Sequence, residues 1–263
     1  MNTTMRVFNG LILAAATAAS LSPAAAQDWN WRGRVAAGDW MEVKAVNGTV
    51  RAMPASGNEI EVSATKTARR SDPDEVKIVV LEHNGGVTIC AVYPAPRNRE
   101  ENTCEPGSRG RSNTQNNDVQ VDFVVRVPRG TNFAGRSVNG GVTVTGLTGD
   151  VKAHTVNGNV RATTTGTAEA TTVNGSINVS MGSTDWTDVL AFETVNGAII
   201  IELPESVSAE VNASTVNGDI STDYPLTVRG RWGPKHLSGT LGRGGRELTL
   251  DTVNGSIEIR RRN

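Results

Sequence analysis

The sequence predicts an all-β protein built as a parallel β-solenoid, a stack of short strands with a less regular β-rich N-terminal part acting as a cap. Three observations favour this class. A four-residue motif recurs along the chain, apolar residues alternate after each copy, and the 263 residues include 28 glycines but only 4% aromatic residues. With so few rings, we expect a thin core of Val, Ile and Ala.

The repeated unit is Thr-Val-Asn-Gly, with Ser in place of Thr in the first full copy. The asparagines of the full copies are Asn139, Asn157, Asn174, Asn196, Asn217 and Asn254, and a divergent copy lies at residues 45–48. Their spacings are 18, 17, 22, 21 and 37 residues. Since 37 is close to two periods, one unmarked copy is predicted between Asn217 and Asn254. A fixed period of this length is typical of stacked repeats.

Apolar residues occupy alternate positions after each Asn-Gly pair. The pairs are Val160 and Ala162, Ile177 and Val179, Ile199 and Ile201, and Ile257 and Ile259. A period of two indicates strands with one buried face. Further turn signals lie between the copies, at residues 147–150 and 165–166. Each repeat therefore contains at least two short strands and two bends.

The Asn-Gly pair allows two interpretations. In a two-residue hairpin turn it would create an antiparallel meander or sandwich. At the corner of a coil it would need one left-handed residue, and successive coils would stack their strands in parallel. Recurrence of the same residues at the same phase favours the stack, because equivalent asparagines would then form an amide ladder. The predicted ladder consists of Asn139, Asn157, Asn174, Asn196, Asn217 and Asn254.

The predicted organisation has three parts: a signal peptide at 1–26, a β-rich capping region with a disulfide loop at 27–134, and the Val-Asn-Gly solenoid at 135–263. The signal is indicated by Arg6, an apolar run over residues 11–19, and three alanines before Gln27. That run is shorter than the roughly 20 residues a spanning helix needs, and no later stretch is long enough. We therefore expect export to the periplasm or the cell surface, without a transmembrane span after signal removal.

The two cysteines, Cys90 and Cys104, are both in the exported part. An even count in an oxidising compartment predicts one disulfide, which would tie off the polar loop around residues 94–99. Zinc is the rival interpretation. Two cysteines without clustered histidines cannot fill a tetrahedral zinc site, however, so no metal is expected.

Charge and motifs exclude several functions. Beyond the signal the chain carries 25 basic and 27 acidic residues, which argues against a strongly basic nucleic-acid-binding protein. His83, His154 and His236 are scattered, and hydrolase elbows, phosphate loops and dinucleotide glycines are missing. No catalytic residue and no cofactor are predicted. A glycan-active enzyme on a β-solenoid is the alternative, for which Asp150, Asp219 and Asp223 could line one face.

One basic cluster interrupts the repeat between Asn217 and Asn254. It is predicted as a binding loop formed by Arg229, Arg231, Trp232, Lys235, Arg243 and Arg246. Binding residues are often presented on loops that leave a rigid scaffold. Contact with an anionic partner there would be driven by charge and would weaken as salt rises.

Over residues 37–260 the chain resembles a bacterial putative-adhesin family, a domain of unknown function in exported proteins. The resemblance rests on the strand at residues 41–45 leading into Val46-Asn47-Gly48, on residues 125–130, and on the later Val-Asn-Gly coils. It implies a β-solenoid and supplies no catalytic residue. The expected function is an exported, non-enzymatic adhesin or envelope-associated binding module. Its expected partners are envelope glycans, anionic polymers or other envelope proteins, and a purely structural envelope protein is a further alternative.

Overall fold

The computed structural model describes residues 27–226, 228–229 and 234–262, so the predicted signal peptide lies outside the described residues. The strands are β1 (Gln27–Gly33), β2 (Trp40–Lys44), β3 (Val50–Pro54), β4 (Ile60–Thr67), β5 (Lys77–His83), β6 (Gly86–Val92), β7 (Gln120–Val127), β8 (Asn132–Arg136), β9 (Val142–Leu147), β10 (Val151–His154), β11 (Val160–Thr164), β12 (Ala168–Thr171), β13 (Ile177–Ser180), β14 (Leu190–Asn196), β15 (Ile199–Pro204), β16 (Ala209–Asn217), β17 (Ile220–Thr222), β18 (Val228–Arg229), β19 (Lys235–Leu241), β20 (Glu247–Asn254) and β21 (Ile257–Arg262). A 3-10 turn lies at Pro73–Glu75. None of the described segments is a helix long and apolar enough to cross a membrane.

The strands form two sheets that face each other across a narrow core. Sheet A has the order β1-β4-β7-β3-β9-β11-β13-β15-β21-β17, and sheet B has the order β18-β19-β16-β20-β14-β12-β10-β8-β2-β6-β5. In each coil a sheet B strand leads through an Asn-Gly corner into a sheet A strand. We name each coil by its corner asparagine, from the Asn47 coil (β2 and β3) to the Asn254 coil (β20 and β21).

Neighbouring coils stack in parallel, which confirms the solenoid and excludes the antiparallel meander. Strand β11, for example, pairs in parallel with β9 on one side and with β13 on the other. The predicted inward positions form the core: Val160 and Ala162 are each 1% exposed, and Ile177 and Val179 are fully buried. A period of two thus places one apolar pair per coil between the sheets, which explains how so few aromatic residues suffice.

The coils do not stack in the order of the sequence. Asn254 lies between Asn196 and Asn217, because β20 pairs with both β14 and β16. The predicted unmarked copy between Asn217 and Asn254 is therefore wrong. Among the described residues of this interval, β18 and β19 form an antiparallel hairpin on the outer side of β16. The interval is long because the chain covers the end of sheet B and then returns into the stack.

Antiparallel strands cover the N-terminal end of the stack in both sheets. There β1 and β4 extend sheet A and β5 extends sheet B. At the other end, β18 and β19 extend sheet B. Such strands replace an open parallel edge, which would otherwise invite pairing with other chains. The predicted domain boundary at 134/135 falls inside β8, and both sheets continue through it.

The corners show why the motif is repeated. The corner asparagines stack in the spatial order Asn47, Asn139, Asn157, Asn174, Asn196, Asn254 and Asn217. Each one after the first donates Nδ2–H to the Oδ1 of the asparagine before it in this order at 2.8 Å. The Thr or Ser hydroxyl turns inward and donates to a Gly carbonyl of that coil, as Thr194 does to Gly175 at 2.9 Å. The valine faces outward and stays partly exposed, as Val195 does at 40%.

The corner glycine is required because the backbones of neighbouring coils approach each other closely at this position. The sequence-based interpretation of a left-handed corner residue is wrong for Gly158, Gly175, Gly197, Gly218 and Gly255, none of which lies in that region. A Cβ on Gly175 would instead stand 1.9 Å from the carbonyl oxygen of Gly158 in the coil below. Only a residue without a side chain allows coils to approach this closely.

Candidate functional site

The outer face of sheet B carries a cluster of polar side chains. Parallel register aligns Thr88, Glu42, Ala134 and Lys152 in one row across β6, β2, β8 and β10. The next row contains Cys90, Lys44, Arg136 and His154. These residues are far apart in the chain and become neighbours only because equivalent strand positions stack.

The loop between β6 and β7, residues 93–119, folds back over these rows. It connects a sheet B strand to a sheet A strand, as the Asn-Gly corner does in other coils. The Cys90–Cys104 disulfide, with a Cα–Cα distance of 5.7 Å, fastens it to β6. Lys44 Nζ donates to the carbonyl oxygens of Glu105 and Arg109, the latter at 2.8 Å. The loop is thereby held in place over the sheet.

Glu42 is the centre of the network below this loop. Its carboxylate is buried and accepts from Arg136 Nε at 2.7 Å, from the Gly107 backbone N–H at 2.8 Å and from Thr88 Oγ1 at 3.1 Å. His83 Nε2 lies 3.0 Å from the same threonine oxygen. A buried carboxylate with three donors is electrostatically satisfied, so Glu42 positions its partners and has little capacity left for a ligand.

A cleft of about 620 Å³ opens beside this network, and we call it the basic cleft. Its lining includes Trp40, Glu42, His83, Asn84, Gly107, Ser108, Arg109, Ala134, Arg136 and Lys152. The small side chain of Ala134 makes the floor concave between Glu42 and Lys152. Three cations line the cleft against one carboxylate, and that carboxylate is already bonded to Arg136. The charge that remains for a ligand is therefore positive.

Trp40 divides the basic cleft from a second, more acidic one. Lys152 Nζ lies 5.5 Å from the centre of the indole ring and 3.5 Å from Glu169 Oε2. The acidic cleft, of about 350 Å³, shares Trp40 and Lys152 and adds Asp150, Asp185 and Asp188. The two clefts therefore adjoin at Trp40 and Lys152, and the second adds acidic residues where the first adds basic ones.

His154 lies beside Arg136 on the rim of this network. Burial, reinforced by the positive charge of Arg136, lowers the pKa of His154 to about 4. The imidazole is therefore neutral at neutral pH and adds no charge to the cleft.

We expect the low pKa of His154 to destabilise the fold in mild acid. Between pH 6.5 and pH 4 the unfolded chain binds a proton at this position that the folded chain does not, so the free energy of unfolding should fall as pH falls through this window. A shift of this size corresponds to about 3 kcal/mol. Urea denaturation at pH 7 and pH 4.5 measures the loss. His154→Gln, which cannot titrate, should lose markedly less, and an identical loss would contradict the assignment.

The remaining residues predicted as site components are not brought together. Lys235 begins β19 and forms an ion pair with Asp219, while Arg246 contacts Asp185 and donates from Nε to the carbonyl oxygen of Trp186 at 2.9 Å. Lys235 therefore lies in a paired strand, whereas Arg246 lies in the connection between β19 and β20, and each has an acidic partner. Arg229 lies in β18, Arg243 is exposed in the turn after β19, and Arg231 and Trp232 fall outside the described residues. A binding role of this cluster stays a prediction.

The acidic residues considered for an enzyme are also separate. Asp150 accepts from the Thr167 backbone N–H and hydroxyl, and Asp223 accepts from the Arg261 backbone N–H. Asp150 directly precedes β10 of the Asn157 coil, whereas Asp219 and Asp223 belong to the Asn217 coil. Within the described ranges no group of three or more His, Cys, Asp or Glu residues could hold a metal ion.

Sequence reasoning missed the basic cleft, although part of its signal was present. Strand β2 alternates, so Trp40, Glu42 and Lys44 share its outer face. The sequence does not show that β8 and β10 continue this face, since Arg136 lies 94 residues from Glu42. Long-range strand order supplies that information.

The fold and this cleft define a two-sheet parallel β-solenoid protein with a polar groove on one outer face. The chain belongs to the Toastrack DUF4097 family, whose model matches residues 107–260. This confirms the family resemblance indicated by the Val-Asn-Gly coils. A search of curated proteins finds no significant match.

Matches among solved structures include two bacterial proteins. A putative cell adhesion protein from Clostridium sporogenes is 11% identical, with 90% of this chain and 100% of that chain covered and a TM-score of 0.39. A putative adhesin from Bacteroides fragilis is 10% identical, with 90% and 97% covered and a TM-score of 0.33.

Proposed function

We propose that the chain is an exported, non-enzymatic binding module of the cell envelope that holds a segment of an anionic glycan in the basic cleft. The observation that carries this proposal is the convergence of Arg109, Arg136 and Lys152 around a concave floor next to Trp40, with one satisfied carboxylate among them. A cleft with an aromatic wall and a few placed charges is typical of a small-ligand or polymer subsite.

The charges available to a ligand come mainly from two side chains. Arg136 is committed to Glu42, whereas Arg109 is exposed and Lys152 has a loose contact with Glu169 at 3.5 Å and lies 5.5 Å from the centre of the Trp40 ring. Arg109 contributes its backbone oxygen to Lys44, which leaves its guanidinium free for a carboxylate or phosphate group. Trp40 offers an amphipathic ring against which a sugar face can pack.

A glycan-active enzyme is the less well supported alternative. Glycoside hydrolysis usually needs two carboxyl groups about 5 to 10 Å apart on either side of the bond. In the basic cleft Glu42 is the one carboxylate of the lining, and three donors hold it below the loop. This arrangement favours binding over acid and base catalysis.

The test is binding of the full chain to soluble polygalacturonate, measured by calorimetry from low to physiological salt. Arg109→Ser combined with Lys152→Ser should weaken binding at least tenfold at low salt. The difference should shrink as salt screens exposed charges beyond about 8 Å. Thermal stability should change little, because exposed charges contribute little to it.

The matched control removes two exposed arginines from the outer face of sheet A, Arg51→Ser with Arg161→Ser. This variant has the same net charge as the cleft variant and should bind like the wild type. Equal losses in the two variants, or no loss in the cleft variant, would contradict the proposal. Tight binding to vesicles containing phosphatidylglycerol, without binding to the polyuronate, would also contradict it.

A further inference from the structure

The Asn254 coil occupies a slot between two coils that precede it in the sequence. On one side Asn254 Nδ2 donates to Asn196 Oδ1, and on the other Asn217 Nδ2 donates to Asn254 Oδ1, both at 2.8 Å. The hydroxyls repeat the pattern, from Thr252 to the Gly197 carbonyl and from Thr215 to the Gly255 carbonyl. The inserted coil therefore makes standard coil contacts on both faces.

The two coils beside the slot, which form its walls, pair with the inserted coil in the same register. Leu248 of the inserted coil pairs with Leu190 of β14 and with Val211 of β16. In sheet A, Ile257 pairs with both Ile199 and Ile220. Any segment with the inserted coil's motif and alternation thus satisfies both walls simultaneously, whichever chain supplies it.

An empty slot would be costly. The walls would present unpaired backbone groups of β14, β15, β16 and β17, as well as the apolar side chains that now face the inserted coil. Exposed strand edges of this kind pair with other chains. Whenever the inserted coil leaves, the slot becomes a specific acceptor for an equivalent segment.

The inserted coil is joined to β19 by a short turn with three left-handed glycines. Gly242, Gly244 and Gly245 have φ angles of 54°, 70° and 98°. Strand β19 itself pairs with β16 along seven residue pairs, independently of β20. A change of conformation in this turn can therefore redirect residues 247–262 while the rest of the stack keeps its pairing. Turns of this kind are where exchange of identical elements between copies originates.

We propose that the slot is a self-association site, in which residues 247–262 of a second copy of this chain take the place of the chain's own segment. The exchange is mutual, so each copy inserts its segment 247–262 into the slot of the other. The exchanged dimer makes the same contacts as the monomer, so it is favoured by concentration rather than by new interactions. Each dimer carries two basic clefts, which would raise the avidity for a repeating polymer. The self-association itself does not depend on the proposed glycan binding.

Cysteine pairing in the full chain tests the exchange. Directly paired strand positions lie about 4.8 Å apart, which is within disulfide range. The Asn196→Cys and Asn254→Cys variants, kept as separate chains, are mixed, unfolded in urea without reductant and refolded together at high concentration. We expect an interchain disulfide whose yield rises with protein concentration, with a dimer on size-exclusion chromatography.

Two controls make the result specific. The double variant Asn196→Cys/Asn254→Cys in one chain should form an intrachain bond at low concentration, which shows that the fold and the geometry are retained. If these substitutions disturb the ladder, the neighbouring exposed pair Val195→Cys and Val253→Cys replaces them. Mixing Asn139→Cys with Asn254→Cys tests random pairing at the same corner, and its yield should be at least tenfold lower.

The proposal is overturned if the Asn196 and Asn254 mixture cross-links no more than the Asn139 mixture while the single-chain control closes. It is also overturned if Asn196→Cys/Asn217→Cys in one chain closes under the same conditions in place of interchain pairing. In that case the Asn217 coil would have collapsed onto the Asn196 coil and removed the slot.

Discussion

Replacing Ile177 by Asp is expected to lower the free energy of unfolding by about 4 kcal/mol or more, enough to unfold much of the stack. The Ile177 side chain is fully buried and lies between Val160 and Ile199 of the neighbouring coils. An aspartate there would bury a charge without a partner and remove apolar contacts with both neighbours. Urea denaturation followed by circular dichroism measures the change.

Asn178→Asp is the matched control, because it introduces the same residue one position further along the same strand. Asn178 points away from the core and lies beside Arg161 in the register. Its substitution should change the free energy of unfolding by no more than about 0.5 kcal/mol. Similar effects of the two substitutions would show that the inward and outward faces of β13 are wrongly assigned.

Gly175→Ala should cost about 3 kcal/mol, a large effect for a single methyl group. The added Cβ would meet the Gly158 carbonyl oxygen at 1.9 Å, and backbone cannot move aside as a flexible side chain can. The two coils would have to separate at the corner, which would also lengthen the ladder bond between Asn174 and Asn157. The shift in the thermal and urea midpoints provides the measurement.

Gly57→Ala is the control for the general effect of replacing glycine. A Cβ at Gly57 meets nothing within 4 Å, and its backbone lies outside the left-handed region. This substitution should be neutral or stabilising by a few tenths of a kcal/mol, because it restricts the unfolded chain. A mild effect at Gly175 would mean that the coils are further apart than the structure shows.

The two proposed properties of the chain use different parts of the stack. The basic cleft is formed by β2, β8 and β10 and by the disulfide-anchored loop, whereas the slot is formed by β14 to β17. Changes in the slot therefore leave the cleft side chains in place. Loss of exchange without loss of glycan binding, or the reverse, can be observed in the same set of variants.

The sequence predicts the disulfide of the anchored loop but not the structural role of that loop. The sequence predicts that Cys90 and Cys104 close a polar loop, and the structure contains this bond. Its role depends on what lies beneath: Gly107 donates to Glu42, and Lys44 holds the carbonyl of Arg109. The spacing of two cysteines contains no information about Glu42, which belongs to a strand more than 40 residues earlier.

Local pattern by itself determined the kind of fold. The alternation at Ile177 and Val179 specifies a strand with one buried face, and the recurring Asn-Gly corner specifies parallel stacking, because identical residues bond best to their own copies. Both signals act within a few residues or between equivalent positions. They can therefore be recognised without knowing which coils are neighbours.

Only the tertiary structure decided the order of the coils and the position of the cleft. Every corner offers the same amide, hydroxyl and glycine contacts, so the motif favours stacking but does not distinguish the Asn254 coil from the Asn217 coil as the neighbour of Asn196. The cleft depends on that order, since Glu42, Arg136 and Lys152 meet only where β2, β8 and β10 are adjacent. Because every copy of the motif can form the same contacts, the motif does not determine which coils become neighbours. The order of the coils depends on the length of the connections and on the packing at the ends of the stack.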